Sequence, residues 1–379
     1  MRITILQGAF LPVPPLRGGA IEKAWSRLGR AFAEQGCKVT HVSRLCDGLP
    51  DEEELEGVRH LRVPGFEAPK GVLRTKWCDL RYVLRARRVL PPGDVLVTHA
   101  FWAPLLVRNA SRGALYVHVG RYPKGQMRWY GRAARLQAPS EAIAEAIRRE
   151  APGSADNAVA LPYPLPWDLG PAAEPGEASR DKVVLYLGRI HPEKGLMQLV
   201  EAFAGLRPEE RGDWRLEVRG PWRVEQGGAG RVFLQELKGL GERVGKAVSF
   251  HEPLFGEDEL RSELQRAGLF AYPSLAERGE TFGLAALEAM SCGCPPLVSG
   301  LGCFRDFVEE GKTGFVFDHR SAEVAQALRA RLAELLADAA EPARKLVGAA
   351  GREAAKAYQV EGVATRFLED FRRVVGKSG

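Results

Sequence analysis

What the chain lacks narrows it first. Its 379 residues hold only six cysteines. They form no CxxC pair, and Cys292 and Cys294 alone lie close together. MRITILQGAF at the start has no long apolar core, so no secretory leader is expected. Reduced, packed thiols are then favoured over a disulfide framework or a zinc cluster. Seven scattered histidines without HExxH or paired spacing argue against a protein-held metal. No run approaches the roughly 18 apolar residues of a transmembrane helix. GxGxxG is absent, which weighs against a nicotinamide-dependent oxidoreductase. A GK[ST] P-loop is absent too.

What is present begins with charge. Up to Pro164 there are 25 Lys and Arg against 15 Asp and Glu; the rest has 29 against 33. A basic first half beside an acidic second half suits two domains with different partners. The basic excess gathers at Arg74, Lys76, Arg81, Arg85, Arg87 and Arg88, and again at Arg121, Lys124, Arg128, Arg132 and Arg135. Trp77, Tyr82, Tyr122, Trp129 and Tyr130 are interleaved. A solvated Arg-rich face is one reading. An anionic partner is the other: a phosphorylated acceptor, a membrane surface or nucleic acid.

Apolar runs of four to six residues mark strands at ITIL, KVTHVS, VRHLRV, DVLVTH, ALYVHV and RLQAPS. Helical stretches separate several of them, as in a doubly wound α/β domain. The first helix, AIEKAWSRLGRAFAEQG, follows Gly18 and Gly19, which leave room for a ligand at its N-terminus. His118 and His99 fall at strand C-terminal ends, where open parallel sheets bind ligands, although a strand-end histidine taken alone is more often structural. The segment 165–180, rich in Pro, Ala and Gly, is expected to be a linker. A second α/β pattern restarts at KVVLYL, followed by Arg189 and Lys194 in a loop before a helix, which suits a phosphate. A charged, solvated turn would look the same locally. PWRVEQGGAGR, from Pro221, is expected to be a mobile Gly-rich loop.

The stretch 269–318 gives strand, loop, helix, turn and strand. Its helix is expected to begin near Thr281 or Phe282 with Thr281 as cap. Glu280 precedes the helix N-terminus, and Glu288 borders the apolar stripe of Leu284 and Leu287. Position alone leaves both carboxylates between an ion pair and a ligand contact. Val360, Val363, Phe367, Phe371 and Val374 make a 3.6-period stripe, so the final helix packs on a surface.

ETFGLAALEAMSCGCPPLVS resembles the E-x7-E region of retaining glycosyltransferases of the GT-B fold, glycosyltransferase family 4. GRIHPEKG, RGGAIEK and QAPSEAIAEAI fit other segments of that family in the same order. PYPLPWD and GLGCFRDF depart from it where relatives often carry Asn-Gly and Gly-Gly. The resemblance implies two Rossmann-like doubly wound parallel-sheet domains facing a cleft. An acceptor domain would span 1–164, a donor domain 181–357, and a helix from about 358–379 would cross back to the first domain. It implies transfer of a sugar, with retention and without metal or cofactor, from a UDP-, GDP- or ADP-sugar. Arg189 and Lys194 would hold the diphosphate. Glu280 would bind donor-sugar hydroxyls and Glu288 the ribose. Backbone N–H groups of Phe282, Gly283 and Leu284 would face sugar or phosphate. Gly18 and Gly19 would lie by the phosphates, and His118 would reach the sugar. The acceptor would be a glycan, lipid-linked or phosphorylated, used in cell-surface glycan or glycolipid synthesis. Residence is expected in the cytoplasm, with peripheral membrane contact through the basic domain and no nucleic-acid partner. A non-catalytic module binding nucleic acid or anionic membrane is the alternative; it leaves Glu280 and Glu288 unexplained.

Overall fold

The computed structural model describes residues 1–16, 18–170 and 180–376. They divide into two compact units. The first joins Met1–Pro166 to the segment from Tyr358, and the second is Trp167–Ala357.

The first unit carries an eight-stranded sheet of order β3-β4-β2-β1-β5-β6-β7-β8. Its strands are β1 (Arg2–Leu6), β2 (Lys38–Arg44), β3 (Glu52–Leu55), β4 (Val58–Val63), β5 (Val95–Thr98), β6 (Ala114–His118), β7 (Arg135–Ala138) and β8 (Ala158–Ala160). All pairings are parallel except β3 with β4. Parallel strands covered on both faces read as continuous apolar runs, which is why they are visible in the sequence. The acidic β3 is not: EEEL looks like a solvated charge run. It pairs because Glu56 (φ 52°) and Gly57 (φ 73°) turn the chain sharply. Arg59 and Arg62 of β4 then meet Glu52 and Glu53.

The helix Val360–Gly376 belongs to this first unit. Its Phe367 and Phe371 pack edge-on against Trp25 and Phe32 of the helix Ala20–Glu34. Burying each such ring contributes about 1.5–3 kcal/mol. Buried Asp370 fixes the register, taking Arg135 Nη2 at 2.9 Å and the Tyr116 hydroxyl at 3.0 Å.

The second unit has a six-stranded, wholly parallel sheet, β11-β10-β9-β12-β13-β14. These are β9 (Asp181–Leu187), β10 (Arg215–Arg219), β11 (Val248–His251), β12 (Ala267–Tyr272), β13 (Pro296–Ser299) and β14 (Phe315–Phe317). Of the expected linker, 171–179 lie outside the described residues. Leu165 and Trp167 are buried chain. Leu165 N–H donates to Tyr358 O within the first unit, and Trp167 Nε1–H donates to Ser291 Oγ within the second.

Candidate active site

β9 and β12 are parallel neighbours, so the loops leaving their C-terminal ends stand side by side. The two loops are laced together. Leu275 N–H donates to Glu193 O at 2.9 Å. Gly195 (φ 69°) lets Pro273 O approach so closely that a Cβ there would lie 2.0 Å from it. This contact carries Lys194 beneath the second loop. Its Nζ donates to Glu280 Oε2 at 2.6 Å, and the Tyr272 hydroxyl donates to the same oxygen at 3.1 Å. The Lys194 and Glu280 side chains are 8% and 10% exposed. Burying two charges costs several kcal/mol per ion, so the pair persists only because each partner answers the other.

Arg189 stands at the mouth of the same loop, half-exposed. Its Nη2 donates to Glu193 Oε1 at 2.7 Å and its Nη1 to Gly227 O at 2.8 Å. Gly227 lies in the Gly-rich stretch expected to be mobile. Instead, Ala229 N–H donates to Ile190 O, and Ile190 N–H to Pro221 O. Those bonds strap the stretch to the Arg189 loop, because small residues let backbone meet backbone.

The helix holding Glu288 is Leu284–Ser291, later than expected. Thr281 does not cap it. Gly283 does, at φ 80° and ψ 46°, a left-handed conformation that glycine adopts freely. A Cβ on Gly283 would lie 2.2 Å from the Phe304 ring. Phe282 is buried and packs on Phe307. The backbone of Phe282, Gly283 and Leu284 therefore enters the helix next to Glu280, with Glu288 half-buried one turn further on. Arg189, Lys194, Glu280 and the 282–284 backbone are brought together on the loops after β9 and β12.

In the first unit, Gly18 (φ 78°) borders open space. Gly19 (φ 97°) does not: a Cβ there would meet the Glu22 carboxylate at 2.2 Å. Glu22 accepts from its own backbone N–H, and burial raises its pKa. The N-terminus of the helix Ala20–Glu34 thus already has a carboxyl group of this chain against it. His118 is buried, with both ring nitrogens engaged. Gln137 Nε2 donates to Ala138 O and Leu161 O, so Gln137 Oε1 can only accept, and it takes His118 Nδ1–H at 2.5 Å. His118 Nε2 then accepts from the Tyr163 hydroxyl at 2.9 Å. Burial holds this ring neutral, its pKa pushed down to about 4.

His118 also lines a cavity of about 430 Å³ at the C-terminal ends of β1, β5 and β6. Its charged walls are Glu22, Lys76, Asp79 and Arg121, with Phe10, Phe101 and Tyr130 as aromatic walls. Asp79 accepts from Trp102 N–H at 3.0 Å, and burial raises it to about 6. Lys76 sits over the Phe101 ring. Sequence reasoning missed Glu22 and Asp79. The available signal for Asp79 was phase: it is the only acid on a helix with six Arg and Lys, and it shares the buried face of Tyr82, Val83 and Ala86.

Two parallel-sheet α/β domains with this equipment define the GT-B class of glycosyltransferases. Sucrose-phosphate synthase from Thermosynechococcus elongatus has the same fold, at TM-score 0.74 and 20% identity over 99% of both chains. HepE of Anabaena, solved in complex with UDP-glucose, matches at TM-score 0.68 and 19% identity over 98% of this chain and 100% of its own. In sequence, the profile described as "Glycosyl transferases group 1" matches residues 172–354. A D-inositol 3-phosphate glycosyltransferase of Actinosynnema mirum is 34% identical over 338 residues, 79% of this chain and 80% of the relative. Its namesake from Geodermatophilus obscurus is 32% identical over 190 residues, 49% of this chain and 39% of the relative. The chain belongs to the group 1 glycosyltransferases.

Proposed function

We propose that the loops after β9 and β12 hold the donor, a UDP-, GDP- or ADP-sugar. The observation that carries this is the buried Lys194–Glu280 pair with Arg189 beside it, at the sheet edge where α/β domains bind ligands. Arg189 and Lys194 take the diphosphate. Its charge grows as the sugar C1–O bond to phosphate breaks, so fixed cations stabilise the transition state more than the ground state. Glu280 takes donor-sugar hydroxyls, Glu288 takes the ribose, and the N–H groups of Phe282, Gly283 and Leu284 face the sugar or phosphate. Neither carboxylate is a covalent nucleophile. The acceptor oxygen bonds to C1 on the face the phosphate leaves. The departing phosphate oxygen accepts the acceptor's proton, so configuration is retained with no metal or cofactor.

The acceptor is a glycan, lipid-linked or phosphorylated molecule, and the Actinosynnema relative is named for one such phosphorylated polyol, D-inositol 3-phosphate. The first unit's cavity supports this. Lys76 and Arg121 suit a phosphate, while Asp79 and the aromatic walls suit a polyol ring. Contact with the inner face of a membrane is the further part of this reading. Among the described residues, no helix is long and apolar enough to cross one.

A thermal-shift series with UDP, GDP and ADP tests the donor site, because a ligand that binds only the native state raises its melting temperature. One nucleotide should stabilise wild type and lose its effect in Arg189→Ala. Equal shifts in both proteins would remove Arg189 from the site.

A further inference from the structure

We infer that the outer face of the helix Val72–Val89 is a docking surface for an anionic lipid bilayer. The inference deepens the membrane part of the functional reading and stands apart from the donor site.

The helix is amphipathic in an unusual sense. Asp79, Tyr82, Val83 and Ala86 make its buried face. The opposite face is exposed and carries large apolar side chains beside its arginines. Leu73 is 86% exposed and Trp77 60%. At 100° per residue, Leu73, Trp77 and the half-buried Leu84 fall within one 40° sector. Arg74, Arg81 and Arg88 line one edge of that sector and Arg87 the other, all exposed, and Lys70 precedes the helix, also exposed. The helix's one acid, Asp79, is buried on the other side. A solvent-facing strip of Leu and Trp edged by Arg, with no exposed carboxylate among it, is what a helix lying in a headgroup layer requires. Apolar side chains enter the acyl boundary and guanidinium groups take phosphates. An acidic protein partner would be met by the same arginines, but the apolar strip is convex and offers it no groove.

The same helix turns Thr75, Lys76 and Asp79 into the first unit's cavity. One element therefore joins the bilayer-facing strip to the cavity wall, so an acceptor headgroup would meet Lys76 next to the surface that anchors the protein.

The test is co-sedimentation of the full chain with vesicles of phosphatidylcholine containing 30 mol% phosphatidylglycerol, set against pure phosphatidylcholine. The expected result is binding to the anionic vesicles alone, weakened at least tenfold by 0.5 M salt. Leu73→Asp/Trp77→Asp should reduce it at least tenfold again. Both side chains are exposed, and unchanged melting temperature and nucleoside-diphosphate shift will report an intact fold and donor site. Three results overturn the inference: no preference for anionic vesicles, undiminished binding by the double variant, or a wild-type dimer that the double variant breaks while neither protein sediments with vesicles. None of these touches the donor reading, which fails only if no nucleoside diphosphate stabilises the protein.

Discussion

Lys194 Nζ and Glu280 Oε2 stand 2.6 Å apart, each side chain about nine-tenths buried. The pair joins loops 86 residues apart in the chain, so each partner's substitution also strands the other's charge. Lys194→Ala removes a transition-state contact, typically about 3–4 kcal/mol or two to three decades of rate. It also strands Glu280, and losing one partner of a buried pair costs about 3–5 kcal/mol of stability. The rate and the melting temperature should both fall. Adding Glu280→Gln should recover much of the stability and none of the rate. Turnover near wild type in Lys194→Ala would remove that residue from the mechanism.

Arg189 bridges Glu193 and Gly227 with two separate N–H groups. A lysine cannot make that planar fork. Arg189→Ala should weaken nucleoside-diphosphate binding by about 1.5–3 kcal/mol, the usual worth of a charged hydrogen bond. Arg189→Lys should recover only part of it. Calorimetric titration of the two variants decides the point, and equal affinities would show that the fork is unused.

Gly283→Ala meets two obstacles at once. Its φ of 80° disfavours any side chain, and the new Cβ would press on Phe304. A left-handed alanine costs about 1–2 kcal/mol, and overpacking typically adds about 1–3. A fall of several degrees in melting temperature is expected. Phe304→Leu in the same chain should relieve the second part and leave the first. An unchanged melting temperature in Gly283→Ala would show that this helix start is not held in place.

The first unit should lose stability in mild acid. Burial lowers His41 to about 3, with the His60 and Arg62 charges adding to the effect. Burial likewise lowers His60 and His118 to about 4, and His99 falls well below its ordinary value. An unfolded histidine takes its proton near pH 6.5. Between that pH and the folded values, the unfolded chain binds more protons, so stability is full above about 6.5 and falls with pH below it. Each such proton contributes about 1.4 kcal/mol per pH unit. Melting curves from pH 7.5 to 5.0 should show this drop, and His41→Gln should make it shallower while the other three rings still contribute. A melting temperature that is constant across the range would mean that these rings are not held neutral.

The parallel strands were legible because most of their residues are covered, so short runs rich in Val, Ile and Leu stand out even where His, Thr or Arg interrupts them. Glu280, Arg189 and Lys194 were legible as charged residues beside helix starts. What could not be read was their pairing, which depends on Gly195 admitting Pro273 O and on Leu275 bonding to Glu193. β3 was hidden because cross-strand arginines, not apolar residues, hold it to β4. The helix start was misplaced by two to three residues because a threonine ahead of an apolar run is a usual cap. Here ring packing by Phe304 gives the position to Gly283 instead. Glu22 was overlooked because only the folded chain shows its carboxylate turned back over Gly19.

The helix Val360–Gly376 completes the core around Trp25 and Phe32, yet it is synthesised after all of the second unit. The first unit is therefore discontinuous, and the usual order on the ribosome is reversed. The inserted unit has all its strands in hand while Trp25, Phe32 and Tyr116 still wait for Phe367 and Phe371. Until then those rings lack the helix that covers them in the folded unit. A chain stopped after Ala357 should fold its second unit and leave the first sensitive to protease, and supplying 358–379 as a peptide should restore protection.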